Sequence, residues 1–260
     1  MSEYPLSEEQ INFYQENGYI KLENVLTPEE LDGARTALDD LISNGRHRHS
    51  NDPVYSKVFL QMVNLWRVDE GIRAFTLNRK LASIARWLAK VDGIRLWHDH
   101  ALVKMPGDSR ETPWHQDLPY WPMVETGALS CWMALDDVNE RNGCMQFVPG
   151  SHKLGRLEPI NLVNPQDIFK LPGAERVTMQ SAVKCELKAG SCTFHNGMTF
   201  HYATSNRTDQ PRRAMVVIYM PDGTNYNGKG HCVTDRQGFE AGKPLDGELF
   251  PLLATSDGSA

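Results

Sequence analysis

A histidine and an aspartate stand two residues apart in the segment PWHQDLPYWP, at residues 113–122. Side chains alternate in direction along a strand, so His115 and Asp117 can point to the same place while Gln116 faces away. One imidazole and one carboxylate are two of the three ligands of a facial triad, which binds Fe(II) on one side and leaves the other positions open. By itself the pair is weak evidence, because a histidine beside an aspartate is often only a hydrogen-bonded pair.

A facial triad needs a second histidine, and two candidates stand close together further along the chain. The segment FHNGMTFHYATSN contains His195 and His201. Either imidazole could complete a two-histidine, one-carboxylate site with His115 and Asp117. The residue types and their spacing alone leave both candidates open.

The first ninety residues have the pattern of helices. Ser7 and Gln10 fit a capping box at the start of one helix, and the Asn-Gly pair that follows ends it. Thr27, with proline next and glutamate three residues later, begins a second helix. The segment GRHRHSNDP at 45–53 is polar and predicts a solvated loop. Apolar residues recur at spacings of three and four across 69–91, which indicates another helical region.

From about Ile94 the chain consists of short apolar segments separated by Pro, Gly and Asn. This spacing is typical of an antiparallel sandwich or jelly roll, and it predicts a mainly β fold with flanking α-helices. The best strand candidates lie at 94–105, 127–138, 144–150, 181–197 and 212–221.

The chain shows no internal repeat and no obvious linker, so we predict a single domain over residues 1–260. A helical N-terminal region of about 1–92 is expected to pack on a jelly-roll core of about 93–222. Residues 223–260 are rich in glycine and polar residues and are expected to form a C-terminal extension laid over the surface. The segment 154–180 has no clear period and is long for a connection, which favours a lid or binding loop.

The composition is that of an ordinary globular protein, with 40% hydrophobic and 23% charged residues. The formal net charge is -6, and no run of lysine or arginine indicates a nucleic-acid partner. The N-terminus is acidic and polar, and no stretch approaches the roughly 18 apolar residues of a membrane span, so we predict a cytoplasmic protein without a membrane partner. Five cysteines without CxxC spacing indicate reduced thiols. The sequence gives no prediction of the oligomeric state.

Four segments occur together in one order: WHQDLPYWP, LSCWMAL, NGCMQFVPGSHK and FHYATSNRTDQPRR. In order and approximate spacing they resemble the phytanoyl-CoA dioxygenase family of Fe(II)/2-oxoglutarate oxygenases. The resemblance extends to the N-terminal LSEEQINFYQENGYIKLENVLTPEEL and covers about residues 6–220. It implies a jelly-roll core of the double-stranded β-helix, cupin-like kind, with Fe(II), 2-oxoglutarate and O2 as the reactive partners.

The most specific part of the resemblance is a distal histidine followed by asparagine five residues later and arginine eleven later. These residues are His201, Asn206 and Arg212, so the resemblance implies His201, not His195, as the third metal ligand. Arg212 takes the family's position for binding the far carboxylate of 2-oxoglutarate. A guanidinium suits this role, because a carboxylate buried without a partner is costly and a guanidinium offers it two parallel hydrogen bonds.

Other positions of the family carry over to this chain. The resemblance places Trp132 and His100 against 2-oxoglutarate, and Gln116 either contacts this cosubstrate or braces the site. Many members have serine or threonine two residues after the distal histidine, where this chain has Ala203. The next residue, Thr204, is then the candidate for a hydroxyl contact to the cosubstrate.

The aromatic pair after the ligand strand, Tyr120 and Trp121, is expected to line the substrate pocket, although core packing explains the pair nearly as well. His195 is expected beside the metal ligands or on the substrate side. The nearby His98 shares a strand face with His100 and is assigned a structural role. Such a site would hydroxylate, or otherwise oxidise, an unactivated C–H bond of a small organic molecule while 2-oxoglutarate and O2 become succinate and CO2.

Two alternatives use the same fold. A cupin-type metalloenzyme without a cosubstrate could bind its metal through His98, His100 and either Glu111 or His152. The chain could also be a binding protein that has the jelly-roll fold but has lost catalytic activity. The substrate is not identified by the sequence; a small polar metabolite or natural-product intermediate is favoured, and nothing in the sequence indicates a nucleotide-bearing CoA ester.

Overall fold

A computed structural model describes residues 4–44, 58, 60–107 and 109–258 of the chain. The loop predicted at 45–53 lies outside the described residues. Within the described part, no helix combines the length and apolar character needed to cross a membrane. All five cysteines are free thiols, and four of them are buried.

In the described part of the chain four α-helices precede most of the strands: α1 (Glu8–Asn17), α2 (Pro28–Ser43), α3 (Glu70–Thr76) and α4 (Arg79–Ala89). The two predicted capping boxes are confirmed, because the side chains of Ser7 and Thr27 each accept the backbone N–H three residues later. In return, their backbone N–H groups donate to the side chains of Gln10 and Glu30. The region predicted at 69–91 is divided into two helices. Asn78 causes the division, since its side chain accepts backbone N–H groups of α4 and so caps a new helix.

In chain order the strands are β1 (Tyr19–Leu22), β2 (Leu60–Val63), β3 (Gly93–Lys104), β4 (Thr112–His115), β5 (Leu129–Ala134), β6 (Met145–Phe147), β7 (Val183–Cys185), β8 (Cys192–Asn196), β9 (His201–Ala203), β10 (Arg212–Pro221) and β11 (Leu252–Thr255). In the described residues they form two antiparallel sheets. The larger has the order β1-β8-β5-β10-β3-β11, with β2 also on β3, and the smaller has the order β4-β9-β6-β7. Neighbours in each sheet are mostly not consecutive in the chain, as expected of the predicted jelly roll.

The larger sheet has two buried faces. On β10, Met215 and Val217 belong to a core that also contains Leu38 and other helical residues. Their neighbours Val216 and Ile218 belong to a second core, which lies between the two sheets. The helices therefore cover one face of the larger sheet, and the smaller sheet covers the other. The site described below opens from this second core.

Two expectations about the ends of the chain are corrected. The N-terminal region is not only helical, because β1 and β2 join the larger sheet. Four-residue strands are too short to show a period of two in the sequence. The C-terminal residues are more than a surface tail, since Leu245 and Phe250 are fully buried and β11 pairs with β3. Because both ends share the sheet of the core, we propose that the chain forms one domain.

Asp99, on the helix-facing side of β3, gives a prediction about stability. Its carboxylate is buried and accepts hydrogen bonds from Trp66 N and Thr76 Oγ1 at 3.0 and 3.1 Å. Burial raises the pKa of Asp99 to about 7 from an ordinary value of 3.8. Between these values the folded protein holds a proton that the unfolded chain has released. The stabilisation from this proton is fully present below pH 3.8 and is lost as the pH rises through 7.

In wild type we therefore expect the melting temperature to fall between pH 5 and pH 9. In Asp99→Asn this group no longer titrates, so the melting temperature should fall less over the same range. Thermal melts of both proteins at pH 5, 7 and 9 measure this. Asp209→Ala removes an exposed carboxylate and should leave the wild-type slope unchanged. A slope shared by wild type and Asp99→Asn would contradict the assignment.

Candidate active site

The three predicted ligands converge where β4 and β9 meet. His115 ends β4 and His201 begins β9, and the two residues are paired in the register of these strands. The Oδ1 atom of Asp117 lies 3.4 Å from Nε2 of His115 and 3.5 Å from Nε2 of His201. One donor atom from each side chain lies within 4.8 Å of both others, and in the described residues no other group of three or more possible ligands meets this criterion.

The backbone fixes the tautomer of both histidines. Nδ1 of His115 lies 2.7 Å from the carbonyl of Pro113, and Nδ1 of His201 lies 3.0 Å from the carbonyl of Thr199. Each Nδ1–H therefore donates to a carbonyl two residues earlier, and the lone pair remains on Nε2, facing Asp117. Such a hydrogen bond behind the ligand is the usual way in which proteins orient a metal-binding histidine.

The charge state of the cluster also fits a divalent metal. Burial, followed by the neighbouring His201, lowers the pKa of His115, which keeps this imidazole neutral. For Asp117, burial alone would raise the pKa, but the neighbouring His201, together with the other histidines around the carboxylate, outweighs burial and holds the pKa well below its usual range. Ligands on adjacent positions at bond lengths of about 2.1 Å lie about 3 Å apart, close to the separations found here. Two imidazoles and one carboxylate are the donor set of the facial triad.

The second oxygen of Asp117 has its own partners. Oδ2 accepts a hydrogen bond from Ser130 Oγ at 3.1 Å and lies 3.2 Å from Nε2 of His195. Nδ1 of His195 has no hydrogen-bond partner among the described residues, so the imidazole proton lies on Nε2 and is donated to the carboxylate. Ser130 and His195 thus hold Oδ2, while Oδ1 faces the two histidine ligands.

This arrangement predicts that Ser130→Ala weakens metal binding about tenfold, because partners that orient a ligand contribute 10- to 100-fold to metal affinity in known sites. Anaerobic competition between the protein and a chelator for Fe(II) measures the change. Ser181→Ala, which removes an exposed hydroxyl elsewhere, is the matched control. If Ser130→Ala binds Fe(II) as tightly as wild type, the hydrogen bond from Ser130 does not contribute to metal binding, and His195 alone orients Asp117.

Arg212 is a buried cation that faces the same cavity. Its side chain is 2% exposed, and Nη1 donates to the carbonyl of Leu102 at 3.4 Å. Within the described residues Nε has no hydrogen-bond partner and no carboxylate lies within ion-pair distance. Burial lowers the pKa of Arg212 to about 10, so the guanidinium stays charged at neutral pH. An uncompensated buried charge is costly, so the fit to an anionic ligand such as 2-oxoglutarate is good.

Trp132 forms the wall beneath this guanidinium, whose central carbon lies 5.1 Å from the centre of the indole ring. Both side chains line a cavity of about 450 Å³ that also reaches His115, Asp117 and His201. The next residue along the strand, Arg213, points to the other face, where it pairs with Asp136 and Asp39. The cavity therefore combines a metal-ligand cluster with one buried cation.

This geometry can be compared with known proteins. The phytanoyl-CoA dioxygenase family model matches residues 14–214, well over half of the chain. The chain belongs to the phytanoyl-CoA dioxygenase family. The predicted family is thereby confirmed, and so is the predicted enzyme class, a dioxygenase dependent on iron and 2-oxoglutarate.

Several characterised proteins are similar to this family member. Ectoine dioxygenase of Bordetella parapertussis is 26% identical over 273 aligned residues, covering 93% of this chain and 86% of that protein. The α-ketoglutarate-dependent carbocyclase SnoK from nogalamycin biosynthesis superposes with a TM-score of 0.84 at 29% identity, covering 96% of this chain and 97% of SnoK. The epimerase SnoN, solved with Fe3+, α-ketoglutarate and nogalamycin RO, gives 0.83 at 29% identity, with coverages of 95% and 98%. These likenesses confirm the predicted mainly β, cupin-like fold.

Most of the other residues predicted for the site of this phytanoyl-CoA dioxygenase family member line the cavity. They are His100, Tyr120, Trp121 and His195. Tyr120 also donates its hydroxyl to the carbonyl of Ile160 at 2.7 Å, which ties the long segment 154–180 to the residues after the ligands.

Two predicted cosubstrate contacts are corrected. The Gln116 side chain donates to the carbonyls of Gly155 and Met198 and accepts from Leu157 N, so it braces the loop and does not face the cavity. The Thr204 hydroxyl donates to the carbonyl of Glu140 at 2.8 Å and is likewise directed away. The polar atoms of both side chains form hydrogen bonds with backbone groups that are distant in the sequence. The spacing of residues in the sequence could not reveal these contacts.

The ligand set of the cupin-type alternative is not assembled. Glu111 accepts the hydroxyl of Tyr202, and Nε2 of His152 lies 3.1 Å from the carbonyl of Gln15. His98 is not merely structural, because it lines the cavity beside His100. The sequence signal for this was that His98 and His100 lie two residues apart on one strand and therefore share a face.

Some cavity residues were missed altogether. Ser130 lies in an apolar strand and gave no signal in the sequence. His231 and Cys232 lie in the C-terminal residues, which were expected to cover the surface, yet both line the cavity. Only the fold of the C-terminal segment brings them there.

Proposed function

We propose that this chain hydroxylates, or otherwise oxidises, an unactivated C–H bond of a small organic molecule, with 2-oxoglutarate and O2 converted to succinate and CO2. The observation that carries the proposal is the convergence of His115, Asp117 and His201 in one cavity with the buried guanidinium of Arg212. The metal ligands and the cation are the parts that such a reaction requires of the protein.

The proposed roles follow from the contacts. His115, Asp117 and His201 hold the iron through Nε2, Oδ1 and Nε2. Arg212 binds the far carboxylate of 2-oxoglutarate, and Trp132 flanks the cosubstrate. Bound iron would activate O2, which is the oxidant, with two electrons coming from the conversion of 2-oxoglutarate to succinate and CO2 and two from the C–H bond of the substrate. The protein holds the target carbon in place and limits the access of water.

The long loop supports this second task. Gln116 stands between two ligands and binds the backbone of Gly155 and Leu157 at 2.8 and 2.9 Å. Tyr120 binds the backbone at Ile160, and Leu162 of the same loop lines the cavity. The ligand segment and the loop are therefore held as one wall. We infer that this wall closes the substrate side of the site.

The relatives support a small-molecule substrate. The names of similar proteins refer to ectoine and to nogalamycin biosynthesis. In this chain a cavity of about 450 Å³ suits a molecule of that general size. We therefore propose a natural-product intermediate or another small metabolite. No cluster of lysine or arginine side chains lines the described cavity that would favour the phosphates of a CoA ester.

Succinate formation tests the proposal. The chain, Fe(II) and 2-oxoglutarate are incubated in air with a panel of metabolites, and succinate and O2 uptake are measured. We expect one class of compounds to stimulate both signals in equal amounts. Anaerobic addition of 2-oxoglutarate to the Fe(II)-loaded protein should also produce a weak visible charge-transfer band. Absence of the band together with absence of succinate would contradict the proposal.

A further inference from the structure

A second basic side chain, Lys104, is buried beside Arg212. Lys104 ends β3, and in the register of the larger sheet it pairs directly with Arg212 of β10. Paired residues of antiparallel strands project from the same face of a sheet, with Cβ atoms about 5 Å apart. Leu102 and His100 precede Lys104 on this face and line the cavity. Lys104 itself is 1% exposed, so two basic side chains share one buried space.

The amino group of Lys104 has a single protein partner within the described residues. Nζ donates to the carbonyl of Arg110 at 2.7 Å, and no described carboxylate lies within ion-pair distance. The stem of the side chain packs against Gly143, where an added Cβ atom would lie 3.0 Å from Cδ of Lys104. The amino group is therefore held in place beside Arg212 without a counter-ion.

This position disfavours the charged form of the lysine. Burial, followed by the neighbouring Arg212, lowers the pKa of Lys104 to about 6, although Glu111 acts in the opposite direction. Burial lowers the pKa of Arg212 only to about 10, so the guanidinium keeps its charge. At neutral pH the free protein thus has one cation, Arg212, beside a neutral amine.

The other titratable groups that act on this pair in the described residues are Glu111, Cys144 and Asp136. Glu111, from the segment between β3 and β4, is exposed to solvent. Burial raises the pKa of the Cys144 thiol to about 11, so this thiol is uncharged. The carboxylate of Asp136 is bound by Arg213, which points to the other face of the sheet. The charge of Lys104 therefore depends mainly on whether Arg212 has an anionic partner.

We propose that Lys104 is uncharged while Arg212 has no partner, and that it takes up a proton when the far carboxylate of 2-oxoglutarate pairs with Arg212. The proposal rests on the proposed function, since it concerns the same cosubstrate site. A carboxylate on Arg212 offsets the repulsion that keeps Lys104 neutral, so the protonated amine becomes favourable. The proton comes from solvent, and the new charge attracts the carboxylate in turn. One proton then binds together with 2-oxoglutarate.

Linkage gives the sign of the pH dependence. Below about pH 6, Lys104 is charged with or without 2-oxoglutarate, so binding takes up no proton. Above this pH the complex holds a proton that the free protein lacks. The Kd for 2-oxoglutarate therefore rises with pH, by at most about tenfold per pH unit. We expect a rise of about fivefold between pH 6.5 and pH 7.5.

The test uses the full chain loaded with Fe(II) under nitrogen. 2-Oxoglutarate is titrated at pH 6.5, 7.0 and 7.5, and the charge-transfer band gives the Kd. Calorimetric titrations at pH 7.5 in HEPES and in Tris, which differ in ionisation enthalpy, count the protons that binding takes up. We expect more than about half a proton for each 2-oxoglutarate bound.

Variants assign the proton to Lys104. Lys104→Met keeps the length of the side chain but has no amine, so its Kd should change less than about twofold over this range and its proton uptake should disappear. Lys104→Gln keeps a neutral donor for the carbonyl of Arg110 and should give the same result, which separates the charge from a structural role of the hydrogen bond. Lys243→Met removes an exposed lysine and should behave as wild type.

The outcomes separate this inference from the proposed function. A wild-type protein that forms the band without proton uptake would refute only the role of Lys104. Proton uptake in Lys104→Gln equal to that of wild type would assign the proton to another group and would likewise overturn the inference. A wild-type protein without the band would refute the proposed function and this inference together.

Discussion

Asp117→Ala is expected to reduce succinate formation at least about 100-fold while the protein remains folded. Loss of a partner behind a metal ligand costs 10- to 100-fold in affinity or activity, and Asp117 is itself the carboxylate that meets both histidines. The side chain is half-buried and its neighbours are the groups that would share the metal, so the change removes few apolar contacts. His115→Ala should have an equal effect, because two ligands hold an open metal site poorly.

The measurement is succinate production with 2-oxoglutarate in excess, accompanied by a chelator competition for Fe(II) and a thermal melt. Asp209→Ala is the matched control, since it removes an exposed aspartate outside the cavity, and it should keep wild-type activity. Succinate production by Asp117→Ala above a tenth of the wild-type rate would refute the ligand assignment. His195, whose Nε2 lies 3.2 Å from Asp117, would then be the first candidate for a replacement ligand.

Arg212→Met is expected to raise the KM for 2-oxoglutarate about 100-fold. Removing one partner of a buried ion pair typically costs 3–5 kcal/mol, which corresponds to a factor of 100 or more in affinity. Methionine has a similar length and fills the space over Trp132 without a charge. The protein without cosubstrate should be no less stable than wild type, because an uncompensated buried guanidinium has been removed.

Initial rates over a range of 2-oxoglutarate concentrations measure the KM, and thermal melts without cosubstrate measure the stability. Arg207→Ala removes an exposed guanidinium on the preceding loop and serves as the control. Arg212→Lys keeps the charge but not the two-pronged geometry, so its KM should lie between wild type and Arg212→Met. If the KM for 2-oxoglutarate is unchanged in Arg212→Met, another residue must bind the far carboxylate of 2-oxoglutarate.

Parts of the site could be predicted from the sequence because they depend on short-range geometry. His115 and Asp117 reach one point because strand side chains alternate, and the same rule turns Gln116 away. The capping boxes at Ser7 and Thr27 close within four residues, so α1 and α2 could be predicted as well. The choice of His201 over His195 came from the resemblance to the family. Spacing alone left both histidines open.

Other parts depended on contacts between distant segments. Thr204 was wrong as a cosubstrate contact, and of the two roles predicted for Gln116 the structure shows bracing. Each polar group binds a backbone segment more than thirty residues away in the chain. The strands β1 and β2 were missed because a short edge strand is stabilised by its partner in the sheet. Their four residues carry no detectable pattern of their own.

The amino-acid sequence by itself determined the family, the reaction class and the three residues that converge on the metal position. The pair His115 and Asp117 depends on a short spacing, which strand geometry translates directly into direction. The family, the reaction class and the choice of His201 depend on the resemblance, which rests on several motifs in one order. The tertiary structure decided which groups support those ligands and which side chain lies beside Arg212. Ser130 meets Asp117, and Lys104 meets Arg212, only after strands and loops far apart in the chain have packed together.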